Sequence, residues 1–468
     1  MNILHVSAEC YPVAKVGGLA DVVGSLPKYQ KKLGEEANVI MPYYDTTFFK
    51  THNFDIVHKA TLVLGTENYS YAILKLTDFD LGFDLFLVDI PKLLFKDYMY
   101  SFDDSDRFLA FSIATLDWVL TTNNKPDIIH CHDHHTALIP FMMSHSNKYD
   151  ILKNTPSILT IHSAQYQGWF SHDKIGYIPQ FDLSKVGLLD WDGCINPLAC
   201  GIKCAWRVNT VSPSYMEEMK SSANGLESLL SHESAKCIGI LNGIDTKVWN
   251  TETDDYLIKN YSGTNIQSGK KTNKKWLCDE FNLDIEKPLF AFIGRLVGEK
   301  GSDLFPEVFD IVLKRNELSI LLLGSGEKTT EKKLEALKKQ HKGNYNAFIG
   351  YDEKLSHYIY AGADFLLMPS RVEPCGLNQM YALRYGTIPV VRSIGGLKDT
   401  VIDISEGGFG FTHNNVSVEN ICNVIKRATD FYSNKKEFRK TRKSNMKIDH
   451  SWDNSAKTYI SLYKSLKQ

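Results

Sequence analysis

Short apolar runs and amphipathic segments alternate along the chain. Runs rich in Val, Ile and Leu predict strands near Ile3–Ser7, Asn38–Met41, Leu85–Val88, Asp127–Cys131, Ser157–Ile161 and Val208–Val211. Apolar positions at helical spacing predict helices over Asp104–Thr121, Thr136–Ser144 and Pro213–Lys220. From Asn250 to Asn273 the pattern lapses into Thr, Asn, Lys, Ser and Gly, which predicts a surface excursion just past a domain junction. A second series follows. It has strands at Leu289–Ile293 and Ser319–Leu323, a helix after Ser302, and a charged helix over Thr330–His341. Strands at Ala347–Gly350, Asp364–Met368 and Ile388–Val391 complete it. An amphipathic helix, "SWDNSAKTYISLYKSLKQ", closes the chain, with Ser451 or Asp453 as its expected cap.

Strands alternating with helices predict parallel sheets, hence an α/β fold. At 468 residues the chain exceeds one ordinary core, so two such sheets predict two domains, 1–245 joined by 450–468, and 246–449. Doubly wound sheets bind ligands at the carboxyl ends of their strands. Composition narrows the class only slightly. A formal net charge of −2 argues against a general nucleic-acid binder. No apolar run reaches the roughly 18 residues of a membrane span, so no membrane partner is expected. No basic-then-apolar leader precedes the first strand. Nine cysteines, scattered singly, do not suggest a disulfide framework, and a cytoplasmic protein is expected.

The chemistry concentrates where predicted strands run into helices. Leu4 to Pro27, "LHVSAECYPVAKVGGLADVVGSLP", places Lys15, Gly17 and Gly18 at the mouth of a helix that carries Asp21 in its first turn. A bare helix start beside a lysine suits an anion, and a plain turn is the alternative. The dinucleotide pattern G-x-G-x-x-G is absent, which argues against a nicotinamide oxidoreductase of the same fold class. "FIGRLVGEKG" repeats the logic with Arg295 and Lys300, cations suited to a diphosphate. "IIHCHDHH" could hold a metal. Side chains at a strand end diverge, so the alternative is a turn with Asp133 facing ligand and histidines packed or solvated. His162 ends another strand. In "MPSRVEPCGLNQMYALRYGTIPVV", Glu373 sits in a loop and Cys375, Gly376 and Leu377 open a helix. Cys375 could be a nucleophile, yet no local signature supplies its base. "GGLKDTV" is a further glycine pair before a helix, suited to phosphate.

Together, "KVGGLADVVGSLP", "HCHDHHTALIP", "TIHSAQYQG", "NGID", "GRLVGEKG" and "SRVEPCGLNQMYALRYGTIPVVRSIGGLKDTV" closely resemble bacterial glycogen synthases and plant starch synthases. The resemblance spans essentially the whole chain. It implies a glycosyltransferase-B fold: two Rossmann-like domains facing a deep cleft, with a C-terminal helix returning to the first. It implies retaining, metal-independent transfer of glucose from ADP-glucose to the non-reducing 4-OH end of an α-1,4-glucan. By the same resemblance, Arg295 and Lys300 hold the diphosphate, while Lys15 and Gly18 lie beside phosphate and glucose. Glu373 contacts glucose, and the backbone of Cys375, Gly376 and Leu377 meets its hydroxyls. His162 lies near the glucose 6-OH, Asp133 near the reacting carbon, and Asp21 in the first helix. Tyr351 stacks on the base, and Thr400 lies at the phosphate-side helix. Two departures stand out: Ser163 where the family often has Asn, and Tyr381 where broader relatives carry a second glutamate. They leave UDP-glucose open as donor. A noncatalytic glucan-binding protein is the rival from another class.

Overall fold

The computed structural model describes residues 1–102 and 104–467. Gln468, the last residue of the expected C-terminal helix, lies outside them. The chain divides into two compact units, Met1–Asn242 together with the segment from Trp452 onward, and Gly243–Ser451.

The strands of the first unit are β1 (Asn2–Val6), β2 (Glu36–Pro42), β3 (Phe54–Leu64), β4 (Glu67–Leu76), β5 (Leu85–Asp89), β6 (Ile128–His132), β7 (Ser157–Ile161), β8 (Asp190–Trp191), β9 (Cys194–Ile195), β10 (Arg207–Thr210) and β11 (Cys237–Gly239). Nine of them form one sheet in the order β11-β10-β7-β6-β1-β2-β5-β4-β3, and β8 pairs only with β9. From β11 to β5 the pairing is parallel. The β3–β4 hairpin extends the edge in antiparallel register. The pattern along the chain did not predict this hairpin. β3 mixes Asp, His and Lys with exposed Ile56, Val57 and Val63, the composition of a solvated edge rather than a core strand.

The second unit holds β12 (Leu289–Leu296), β13 (Ser319–Gly326), β14 (Tyr345–Ile349), β15 (Phe365–Met368), β16 (Ile388–Arg392) and β17 (Phe411–His413). They form an all-parallel sheet in the order β14-β13-β12-β15-β16-β17. Strand order therefore reverses direction between β12 and β15. In the first unit it does so between β1 and β6. These are the switch points at which doubly wound sheets bind ligands.

The stretch from Asn250 to Asn273 is not wholly a surface excursion. A helix covers Ile266–Phe281 and buries Lys270, Asn273 and Lys274. The Lys270 Nζ lies within hydrogen-bond distance of the carbonyls of Tyr360, Ala361 and Tyr385 and of the Thr387 hydroxyl. Asp364 balances Lys274 at 2.8 Å and Arg442 at 3.0 Å. The polar residues are there because they tie helix ends and turns together from inside, a use that composition does not reveal.

The helix Trp452–Lys464 packs on the first unit. Trp452, Ala456, Tyr459 and Tyr463, at alternating steps of four and three, meet Ile3, Val22, Leu26, Ile128 and Ile240. Lys32 pairs with Asp453 at 2.9 Å, and Ser455 donates to the Leu241 carbonyl.

Candidate functional site

In the first unit the sites follow the carboxyl ends of β1, β6 and β7. After β1, Glu9 is buried, and its carboxylate accepts the amides of Val16 at 2.5 Å and Gly17 at 3.0 Å and the Tyr100 hydroxyl. Glu9 therefore braces the lysine–glycine loop. Nothing in the sequence distinguished it from a surface acid. The helix starts at Gly18. A Cβ at Gly17 or Gly18 would meet no atom within 4 Å, and neither residue has a positive φ. Neither packing nor conformation demands glycine here, so the bare backbone is available for something outside the fold. The Gly17 amide is already engaged by Glu9. Lys15, exposed, is bidentate to Asp21 at 2.7 and 2.8 Å. A half-exposed pair of this kind contributes about 0–1 kcal/mol, so the lysine can exchange Asp21 for an anion cheaply.

Asp133, the first residue past β6, adopts φ 55° and is buried. Its Oδ1 accepts the amides of His162 at 2.6 Å and Ser163 at 3.4 Å. Burial pushes its carboxyl up to about 7, against the pull of those amides. Asp133 and His162 are thus brought together, and the carboxylate holds the loop that carries the histidine.

The histidines of β6 do not diverge as the strand-end argument supposed. His130 and His132 lie on one face of the strand with their rings stacked at 4.4 Å, and His5 of β1 joins them. Ligand nitrogens of His5, His130 and His132 lie within 4.8 Å of one another. Their ring nitrogens already have partners: His5 with His132 and Gln30, His132 also with His162, and His130 with Tyr463 and Thr160. A metal would have to displace these hydrogen bonds. Burial drives all of these rings, and His134, His135 and His162, toward the neutral form.

In the second unit the site follows β12 and β15. Lys300 donates to Glu373 Oε2 at 2.6 Å, and the Ser370 hydroxyl donates to the same oxygen at 2.9 Å. Arg295, 68% exposed, lies 3.4 Å from Glu299. The two loops are clamped together by Arg371, which is bidentate to Asp303 and donates to the Gly298 carbonyl. Gly301 is in the left-handed region at φ 73°, and a Cβ there would come within 2.5 Å of the Pro369 carbonyl oxygen. The helix begins at Asn378, one residue after Leu377 and later than expected, and Cys375 is buried ahead of it.

The "GGLKDTV" glycines have a packing reason. A Cβ at Gly395 would lie 2.0 Å from the Glu373 carbonyl oxygen, and one at Gly396 2.1 Å from that of Cys375. The pair lets one helix start press against the loop that presents Glu373. Thr400 is buried. Its hydroxyl donates to the Gly396 carbonyl and accepts from Gln379, which also holds the carbonyls of Cys375 and Gly376. Its side chain therefore stabilises the Gly376 turn from behind. Tyr351 follows β14 and is 85% exposed. Tyr381 stacks on Trp249 at 3.8 Å, and Trp249 on His357 at 4.0 Å, an aromatic group that the sequence did not single out.

Residues 2–232 match the family model for the starch synthase catalytic domain, and residues 278–445 that for glycosyl transferases group 1. A glycogen synthase of Flavobacterium johnsoniae is 52% identical over 99% of this chain and 98% of its own length. The chain belongs to the glycogen and starch synthase family. A glycogen synthase of Streptococcus pneumoniae is 38% identical over the full length of both chains. The catalytic domain of starch synthase IV from Arabidopsis thaliana, solved bound to ADP and acarbose, superposes with a TM-score of 0.88. It is 32% identical, over 100% of this chain and 99% of that one. A sucrose-phosphate synthase from Thermosynechococcus elongatus, at 16% identity and TM-score 0.64, shares the fold. The family is one of hexosyltransferases, and the two units are the Rossmann-like halves of a glycosyltransferase-B fold.

Proposed function

We propose that this enzyme transfers glucose from ADP-glucose to the non-reducing 4-OH end of an α-1,4-glucan with retention of configuration. The observation that carries the reading is Glu373, buried at the switch point of the second sheet and held at 2.6 Å by Lys300. A carboxylate fixed beside a cation suits a sugar whose leaving group is a diphosphate. Departure of that group builds negative charge on phosphate oxygens. Arg295, Lys300 and Lys15 act on that charge as preorganised cations. Glu373 and the backbone of Gly376 and Leu377 bind glucose hydroxyls, His162 lies near the 6-OH, and Asp133 near the reacting carbon. Tyr351 stacks on the adenine. Attack occurs on the front face, with the leaving phosphate assisting removal of the acceptor proton. Cys375 positions the loop and forms no covalent bond.

The test is incubation with glycogen and either ADP-glucose or UDP-glucose, following release of nucleoside diphosphate. Faster release of ADP supports the reading, and preference for UDP-glucose replaces the donor while leaving the reaction class intact. No glycogen-dependent release from either donor leaves a glucan-binding protein without catalysis. Activity in EDTA should equal that without it, because three cations take the role of a metal. Loss restored by a divalent ion would overturn this and return attention to His5, His130 and His132.

A further inference from the structure

A continuous line of buried hydrogen bonds runs through the first unit and ends at His162. His5 Nε2 lies 2.8 Å from Gln30 Oε1, His5 Nδ1 lies 3.1 Å from His132 Nε2, and His132 Nδ1 lies 3.0 Å from His162 Nε2. Gln30 is fully buried in the first helix, and its amide nitrogen donates to the Tyr463 hydroxyl at 3.1 Å. Its carbonyl oxygen therefore faces His5.

A neutral imidazole carries one N–H and one lone pair, so each contact dictates the next. Gln30 Oε1 can only accept, so His5 is protonated on Nε2. His5 Nδ1 must then accept, so His132 is protonated on Nε2. His132 Nδ1 must accept in turn, which puts the proton of His162 on Nε2. The other arm agrees. Tyr463, accepting from Gln30, donates to His130 Nδ1 at 2.7 Å, and His130 Nε2 donates to Thr160 at 2.6 Å. Thr160 donates to Asn209 Oδ1, and Asn209 Nδ2 to the Tyr459 hydroxyl. Reversing any one bond requires reversing them all.

We propose that this relay fixes His162 as its Nε2–H tautomer, leaving Nδ1 as a lone-pair acceptor for a sugar hydroxyl, and that Gln30 is the positioning residue that sets it. Among the described residues no hydrogen bond engages His162 Nδ1. The role of the lone pair rests on the reading of His162 as a donor-sugar residue. The tautomer itself does not.

Long-range proton–nitrogen NMR on the full chain labelled with 15N-histidine reads the tautomer directly, with His162 assigned by its loss in His162→Ala. The wild type should show His162 protonated on Nε2. Gln30→Met, which removes the acceptor, should give a mixture of tautomers and a kcat about tenfold lower, the effect of one hydrogen bond, with donor KM little changed. Tyr463→Phe, which frees the Gln30 amide, should also give a mixture and covers the case in which Gln30→Met does not fold. A wild-type His162 protonated on Nδ1 overturns the proposal. So does a folded Gln30→Met with tautomer and kcat unchanged. If His162 is the Nε2–H form in a protein that transfers no glucose, the relay stands and the transferase reading falls.

Discussion

Asp133 shows how one side chain can serve the fold at a cost. Its folded-state proton affinity is raised to about 7, so the unfolded chain releases that proton first as pH climbs. Its contribution to stability is therefore greatest below the ordinary carboxylate range and declines as pH rises toward 7. Asn keeps an acceptor for the His162 amide and has no charge to bury. Asp133→Asn should melt no lower than wild type at pH 8, while losing kcat if the charge acts at the reacting carbon. Calorimetry beside steady-state kinetics separates the two roles, and a lower melting temperature with unchanged kcat would make Asp133 purely structural. Arg295 and Lys300 pose the opposite case, since Arg295 pairs with the neighbouring Glu299, Lys300 pairs with Glu373 on the facing loop, and neither cation serves the core. Arg295→Ala should lower kcat at least about 100-fold, in line with about 3–4 kcal/mol acting on a developing charge. A kcat within about threefold at saturating donor would remove this loop from the site. Tyr351→Ala should raise the donor KM roughly tenfold, because base–aromatic stacking contributes about 1–3 kcal/mol. An unchanged KM would rule out stacking.

Elements decide which of these residues could be read from sequence. β1, β7, β12 and β15 are largely buried apolar runs, and β6 is buried but carries His130 and His132. The residues that follow these strands were legible because charged or titratable side chains gather at a strand end, with glycines nearby after β1, β12 and β15. The two glycine pairs looked alike in sequence and differ in structure. Gly395 and Gly396 are required by carbonyls about two ångströms from any Cβ, whereas Gly17 and Gly18 face open space. Gly396→Ala should cost stability heavily. Gly17→Ala should fold as wild type and weaken donor binding, which thermal melts and donor KM together can check. Glu9, Gln30 and the β3–β4 hairpin were not legible. Gln30 acts through partners distant in sequence, and Glu9 accepts backbone amides that no pattern marks. In the hairpin, β3 is exposed and polar over most of its length, although β4 buries Tyr71, Ile73, Leu74 and Leu76. The stacked histidines were misjudged because His130 and His132, two residues apart, share one face of β6, where His5 of β1 packs beside them. Neutral His5, His130, His132, His134, His135 and His162 bind protons only after unfolding, so stability should fall steeply as pH drops through 6.5. Asp133 opposes this with a single proton, and six outweigh one. A melting temperature flat between pH 7 and pH 5 would contradict the neutral assignment.

At the scale of the whole molecule, a mixed sheet and an all-parallel sheet each present their chemistry at a switch point between parallel strands, and the last helix belongs to the first of them. That helix supplies Tyr459 and Tyr463 to the histidine network as well as Trp452 to the core. The full-length agreement with the glycogen and starch synthases covers both sheets and the helix. What defines the enzyme is the glycosidic bond that it makes. ADP-glucose carrying 13C at the anomeric carbon, incubated with glycogen, reports that bond directly by NMR of the polymer. Label should appear in the glycogen as a new α-1,4 linkage, matched by ADP release. A β linkage, or label recovered only as free glucose, would contradict it.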